Sequence, residues 1–155
     1  MTFHILALPS STFAPLFALD DDALAERNIR RQVVDSSPGY PCRVSLADAE
    51  IGETVLLLNH TYQSAASPYR AAHAIYVREG VAQAHPEPGE VPDVMSRRLL
   101  SLRAFDGGGM MRGADVVEGK QAGPSIARLL GDPQITEVHI HNAKPGCFAA
   151  RAVRV

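Results

Sequence analysis

The chain has 155 residues with 15 basic and 17 acidic side chains, a balance that gives no electrostatic reason to bind nucleic acid or an acidic membrane. Its hydrophobic fraction of 46% and charged fraction of 21% exclude disordered, collagen-like and coiled-coil chains. Two cysteines are too few for a disulfide scaffold or a four-cysteine zinc site. The length predicts one domain over residues 1–155.

Targeting signals are not apparent in the sequence. Residues 1–9 lack a basic start, and their apolar stretch is short for a signal peptide. No apolar run approaches the roughly 18 residues that a membrane-spanning helix needs. We therefore expect a soluble, cytoplasmic protein with no membrane partner, in which Cys42 and Cys147 are free thiols.

Most of the chain is predicted to be β-strand. Apolar alternation, or a short apolar run between turn residues, is the basis of this prediction. The strands are predicted at residues 3–8, 33–34, 42–46, 54–62, 73–78, 100–105, 110–117, 135–141 and 147–153.

Three short helices are predicted between these strands. One begins at the carboxylates 20–22, which can cap the first free N–H groups, and a second makes one or two turns within 92–99. The third covers 121–130, where the apolar residues share one helical face. The sequence thus predicts a single α+β domain, with a mainly antiparallel sheet of roughly eight strands.

The segment 137–142 carries the best chemical signal. His139 and His141 are two residues apart, which places both imidazoles on one face of a strand. Neutral imidazole can transfer protons near neutral pH or bind a metal if other elements supply ligands. A polar, half-exposed face with no chemistry is the alternative.

Both cysteines are candidate nucleophiles. Cys42 precedes Arg43, and on a strand Cys147 would share a face with Arg151. A nearby arginine favours a thiolate, but a reactive cysteine also needs a base such as His60, His139 or His141. Buried, inert thiols are the alternative.

Tyr69 and Arg70 follow Ser67-Pro68 in or beside a loop. A guanidinium beside a phenol can clamp a carboxylate or phosphate, although the two residues also fit an ordinary surface pair. His60 and His73 alternate with apolar residues, which predicts half-buried, hydrogen-bonded histidines.

Several segments resemble a bacterial family known only as domain of unknown function 1203. The segments that carry the resemblance are 38–49, 52–59, 67–70, 100–106 and 139–151. Pro41-Cys42-Arg43 and His141-Asn142, followed by Pro145-Gly146-Cys147-Phe148, are its most specific motifs. The chain departs from the family pattern at Ala72-His73-Ala74, so a role for His73 would be peculiar to this protein. The resemblance implies a single-domain bacterial protein and no particular activity.

The resemblance and the residue chemistry indicate the same polar set, and three hypotheses remain open. The first is a pocket for a small anionic molecule, with thiolate or imidazole chemistry and no cofactor. The second is a non-catalytic protein whose edge strand pairs into a homodimer. The third is a metal protein using His139 and His141. The set for the first hypothesis comprises catalytic candidates Cys42, His139, His141 and Cys147, and ligand-binding candidates Arg43, Tyr69, Arg70, Asn142 and Arg151.

Overall fold

The computed structural model describes residues 2–155 and has eight strands in two antiparallel sheets. In chain order the strands are β1 (Phe3–Leu6), β2 (Arg30–Val33), β3 (Thr54–Gln63), β4 (Ala71–Arg78), β5 (Leu99–Asp106), β6 (Met111–Glu118), β7 (Ile135–Asn142) and β8 (Phe148–Arg154). The helices are α1 (Ser10–Phe13), α2 (Asp21–Glu26), α3 (Asp93–Ser96) and α4 (Ala122–Leu130), with 3-10 turns at Ala14–Ala18 and Gly119–Gln121. The predicted α+β class is confirmed.

The larger sheet has five strands in the order β1-β8-β7-β5-β6, and the smaller has three in the order β2-β3-β4. The predicted hairpin of β5 with β6 is present, and so is the hairpin of β7 with β8. β1 pairs with β8, so the N-terminal strand closes the edge beside the C-terminal one. Among residues 2–155, no helix is long and apolar enough to cross a membrane.

Helix α4 covers one face of the five-stranded sheet. Its apolar stripe is buried against the strands, as the sequence predicts for Ala122, Ile126, Leu129 and Leu130. Gly131 follows at the C-cap. Burying this stripe is what stabilises so short a helix, because nine residues alone are marginal in water.

The other face of the five-stranded sheet looks onto the three-stranded sheet. A second apolar core lies on the facing side of β3 and β4, where Leu56, Leu58, Ile75 and Val77 pack with residues from α1 and α2. Helix α2 begins at an Asp20 cap, whose side chain accepts from the Ala23 N–H at 2.8 Å, as the carboxylate run predicts. Further along the same face, aromatic and histidine side chains fill the space between the sheets.

Two details of the predicted strands are wrong. Residues 42–46 form a tight turn in which the Cys42 carbonyl accepts from the Leu46 N–H at 3.1 Å, and Leu46 has a φ of 51°. A bulge opposite Ile140 and His141 adds a residue to β8. As a result Phe148 pairs with His141, and Arg151 pairs with His139. Arg151 therefore shares its face of β8 with Phe148, and the predicted shared face with Cys147 is wrong.

Candidate functional site

A cavity of about 480 Å³ opens where the two sheets meet. Its walls come from the segment 39–43, the β4 edge at His73 to Tyr76, the α3–β5 junction and the β7–β8 hairpin. The segment 39–43 joins the sheets, because the Arg43 N–H donates to the Tyr76 carbonyl of β4 at 3.2 Å. The Arg43 carbonyl in turn accepts from the Leu8 N–H just beyond β1 at 2.9 Å.

The cavity wall is strongly cationic. Arg43, Arg97, Arg98 and Lys144 line it, and no aspartate or glutamate is among the lining residues that the structure describes. Asp48 lies behind the wall, bound to Arg98 by two bonds of 2.6 and 3.1 Å and to Arg97 at 3.7 Å. Four positive charges against this one carboxylate leave an excess of three.

Arg43 forms the floor of the cavity and is only 2% exposed. Its Nε donates to the Phe148 carbonyl at 2.7 Å, its Nη1 to the Pro41 carbonyl, and its Nη2 to the Cys147 Sγ at 2.9 Å. Burial lowers the pKa of Arg43 from its ordinary value, while the nearby sulfur acts in the opposite direction. The fold therefore holds a desolvated guanidinium in one position at the bottom of the cavity.

Cys147 and Asn142 stand beside Arg43 because the β7–β8 hairpin is tight. Gly146 turns the chain at a φ of 79°, a conformation that glycine adopts readily. Its N–H donates to the Asn142 carbonyl at 2.8 Å, and the Asn142 N–H donates to the Cys147 carbonyl at 2.9 Å. The hairpin thus places an amide and a thiol side by side in the cavity wall.

His139 and His141 point between the sheets, on one face of β7 as predicted. Their ring centroids are 6.5 Å apart, and both rings contact Tyr62 of β3 and Phe148 of β8. Both side chains are buried, with exposures of 1% and 0%. The alternative of a half-exposed polar face is therefore wrong for this part of β7.

The tautomer of His141 follows from its partner. Its Nδ1–H donates to the Gly146 carbonyl at 3.0 Å, which leaves Nε2 as a bare acceptor with no partner within residues 2–155. Burial lowers the pKa of His141 to about 4, and the positive fields of Arg103, His139 and His73 act in the same direction. His141 is therefore a neutral imidazole in the native protein.

Glu137 connects His139 to Arg151 on the same face. The His139 Nε2–H donates to one carboxylate oxygen at 2.9 Å, and Arg151 donates to the other at 3.0 Å. The hydrogen bond from His139 and the adjacent Arg151 lower the pKa of Glu137 despite its partial burial. These two hydrogen bonds fix the ring of His139. The Nδ1 atom of His139 has no hydrogen-bond partner within residues 2–155.

The structure separates the predicted residues into several places. Arg43, Asn142 and Cys147 meet at the cavity. Cys42 is 1% exposed in the core between β4 and α2, where its sulfur accepts from the Ser45 and Arg78 N–H groups. Tyr69 packs its ring against Phe105, and Arg70 donates to the Ser64 carbonyl at 2.6 Å at the surface. Tyr69 and Arg70 are therefore not a clamp at this cavity.

Four basic residues of the cavity lining are absent from the predicted site: His73, Arg97, Arg98 and Lys144. The doubled arginine at 97–98 is a visible signal, but only the α3–β5 turn brings it to the cavity. Lys144 lies in the β7–β8 hairpin, within the motif that resembles the family, but its position relative to the other polar residues gives no sign that it binds a ligand. His73 is half-buried and hydrogen-bonded through Nδ1 to the Ala74 carbonyl at 2.9 Å, as predicted, and it also lines the cavity.

Other expectations about the site have these outcomes. Cys42 and Cys147 are both free cysteines that form no disulfide, as predicted. In residues 2–155 neither sulfur makes a hydrogen bond to a histidine, so neither has the adjacent base expected of a histidine-activated nucleophile. No group of three histidine, cysteine, aspartate or glutamate residues in that range is placed to hold a metal ion.

Comparison with known protein families gives a match over most of the chain. A family model described as "Protein of unknown function (DUF1203)" matches residues 39–154. The matched region contains every residue that lines the cavity, together with β3 to β8. No curated protein and no solved structure matches the chain.

Proposed function

The chain belongs to the DUF1203 family of proteins of unknown function, as its motifs predicted, and we propose from the cavity that it binds a small anion with at least two negative charges. The observation that carries the proposal is the excess of three positive charges on a cavity wall without a carboxylate. A concave site with charge of one sign concentrates ions of the opposite sign.

The cations differ in their freedom to contact a ligand. Arg98 is held by both oxygens of Asp48, and Arg43 is largely satisfied by backbone carbonyls and the Cys147 sulfur. Lys144 is exposed, and its ammonium makes no hydrogen bond or ion pair within residues 2–155. Lys144 is therefore the lining cation, within residues 2–155, whose donors are all free to bind an anion. Arg97 donates through Nε to the Asp93 carbonyl and lies 3.7 Å from Asp48, while Arg43 and Arg98 supply fixed positive field.

Thermal unfolding in the presence of small anions tests the proposal. At constant ionic strength, inorganic phosphate, sulfate and succinate should raise Tm in a saturable manner, whereas chloride and acetate should have little effect. Saturation distinguishes a site from general salt effects on the surface. Equal responses to monovalent and divalent anions would contradict the proposal.

Lys144→Ala is the matched variant, because Lys120 is the only other lysine in the chain and lies exposed outside the cavity. A charge-assisted hydrogen bond contributes about 1.5 kcal/mol, so Lys144→Ala should weaken phosphate binding about tenfold. Lys120→Ala should leave the affinity unchanged. Isothermal titration gives both affinities, and equal losses in the two variants would indicate nonspecific attraction.

Four further expectations from the sequence stay predictions. These are a bacterial origin, a cytoplasmic location, no nucleic-acid partner, and homodimer formation through an edge strand. Sedimentation of the purified protein measures the last of them directly.

A further inference from the structure

The charge of Arg43 has no carboxylate partner in the described chain. Every ion pair within residues 2–155 involves other residues, although Arg43 is 98% removed from solvent. A buried cation is costly unless an anion or several acceptors compensate it. Two of its three acceptors are neutral carbonyls, so the Cys147 sulfur at 2.9 Å is the only hydrogen-bond partner that can carry a negative charge.

The surroundings of the sulfur match a thiolate. Sγ accepts from Arg43 Nη2 at 2.9 Å and from Asn142 Nδ2 at 3.5 Å, and both groups are donors only. In this orientation of the Asn142 amide, neither group offers an acceptor to an S–H, which is a weak donor. A thiolate would use both donors and would compensate the buried guanidinium.

A second side chain in the same wall indicates a ligand. Asn142 is 5% exposed and lines the cavity, and its Oδ1 has no hydrogen-bond partner within residues 2–155. A buried carbonyl oxygen without a partner is destabilising, and a donor group on a bound molecule would satisfy it. The wall thus combines an unused acceptor with a sulfur and a cationic rim.

We infer that Cys147 is a nucleophilic thiolate, held ionised by Arg43, that attacks an electrophilic small anion bound in the cavity. This inference rests on the proposed function, which supplies the binding of the anion. The thiolate would reduce the excess positive charge at the cavity from three to two, which still matches an anion with two negative charges. In the step, an Sγ lone pair forms a bond to the electrophilic atom, and the leaving group departs with the electron pair of the bond that breaks. The thiol proton leaves to solvent when the thiolate forms beside Arg43, so the step requires no histidine bonded to the sulfur.

Alkylation with two matched reagents tests the inference on the native protein. Iodoacetate is a small carboxylate, and iodoacetamide is its neutral counterpart with the same iodide leaving group. At about pH 7, the iodoacetate-to-iodoacetamide rate ratio at Cys147 should exceed the ratio for free cysteine about tenfold or more. Phosphate should slow the reaction, and Cys42 should stay unmodified because it is buried outside the cavity. Peptide mass analysis reports each cysteine separately.

Three variants separate attraction by the cavity charge from ionisation of the sulfur as causes of a high ratio. Lys144→Ala should lower the rate ratio at Cys147, and Lys120→Ala should not. Cys147→Ser keeps the size of the side chain and removes the ionisable sulfur. The ultraviolet difference spectrum between the native protein and Cys147→Ser at about pH 7 should therefore show thiolate absorption.

The outcomes distinguish the inference from the function on which it rests. If divalent anions stabilise the protein but Cys147 resists both reagents, or the difference spectrum lacks a thiolate, the inference is overturned and anion binding stands. A different pattern would contradict the proposed function: Cys147 reacts fast with iodoacetamide, it shows no preference for iodoacetate, and phosphate does not stabilise the protein. The part of the inference that makes the substrate an anion would then be overturned as well.

Discussion

His141 shows at the scale of one residue how burial fixes a protonation state. The native protein holds its pKa near 4, whereas an unfolded histidine titrates near 6.5. Below pH 6.5 the unfolded chain therefore takes up a proton that the native chain does not bind, and stability falls as the pH falls from about 6.5 to 4. The loss is on the order of 3 kcal/mol from this group, and His60, whose pKa burial also lowers, adds to it.

The variant His141→Asn tests this assignment, because an amide can still donate to the Gly146 carbonyl but does not titrate. Urea unfolding between pH 4 and 7 should show a shallower fall in stability than in the unmodified protein. The exposed His85 provides the control, and His85→Asn should keep the full fall. A slope unchanged by His141→Asn would mean that the buried ring is not neutral.

At the scale of elements, Gly119 fixes the junction that carries two cavity arginines. A Cβ at this position would lie 2.1 Å from the Met95 carbonyl oxygen and 2.7 Å from that of Arg98. The Gly119 N–H also donates to the Arg98 carbonyl at 2.8 Å. The 3-10 turn before α4 therefore packs against the α3–β5 junction closely enough to set where Arg97 and Arg98 enter the cavity.

Gly119→Ala should force this junction apart. We expect a loss of more than about 2 kcal/mol in unfolding free energy and weaker phosphate binding, because the arginines shift. Gly123→Ala is the control within α4: its Cβ would meet only Val91 at 3.9 Å, so a gain of about 0.4–1 kcal/mol is expected. Chemical denaturation and titration measure both effects. Equal stability of the two variants would rule out the close packing.

The strands also show how far a local sequence pattern can predict an element. In β5, Leu100, Leu102 and Ala104 alternate with polar residues and are buried together, so periodicity was sufficient. The segment 42–46 was too short for alternation to distinguish a strand from a turn, and the left-handed backbone of Leu46 carries no glycine to signal it. The bulge in β8 depends on its pairing with β7, which the sequence of β8 alone does not specify.

At the scale of the whole molecule, residues 2–38 complete both sheets although they lie outside the family match. They supply β1 and β2, which border β8 and β3, and the helices α1 and α2 that cover the second core. A chain of residues 39–155 would expose two unpaired strand edges and an apolar face.

We expect the 39–155 chain to aggregate and to melt without a cooperative transition. Circular dichroism melting and gel filtration provide the measurements. A protein cut after Pro38 that keeps both pieces is the control, and it should remain folded because the contacts persist. Cooperative melting of 39–155 at the full-length Tm would show that the N-terminal segment is dispensable.

The cavity illustrates why the site was only partly predicted. Arg43, Asn142 and Cys147 were identified from their chemistry and motifs, and they do meet. Arg97 and Arg98 join them through the α3–β5 junction, and Tyr69 and Arg70 are excluded by packing elsewhere. These positions depend on contacts between distant segments, which residue type and local spacing do not encode.

The distance along the chain between Arg43 and its partners also sets when the site can exist during biosynthesis. Arg43 bonds to Cys147 and Phe148, which follow it by 104 and 105 positions. At 5–20 residues per second, the ribosome releases these partners on the order of 10 s after the arginine. Until then the guanidinium must stay hydrated, and the second core remains open beside it. A nascent chain acquires its anion site only once the β7–β8 hairpin has been made, so occupancy of the cavity marks a chain that has been synthesised at least as far as β8.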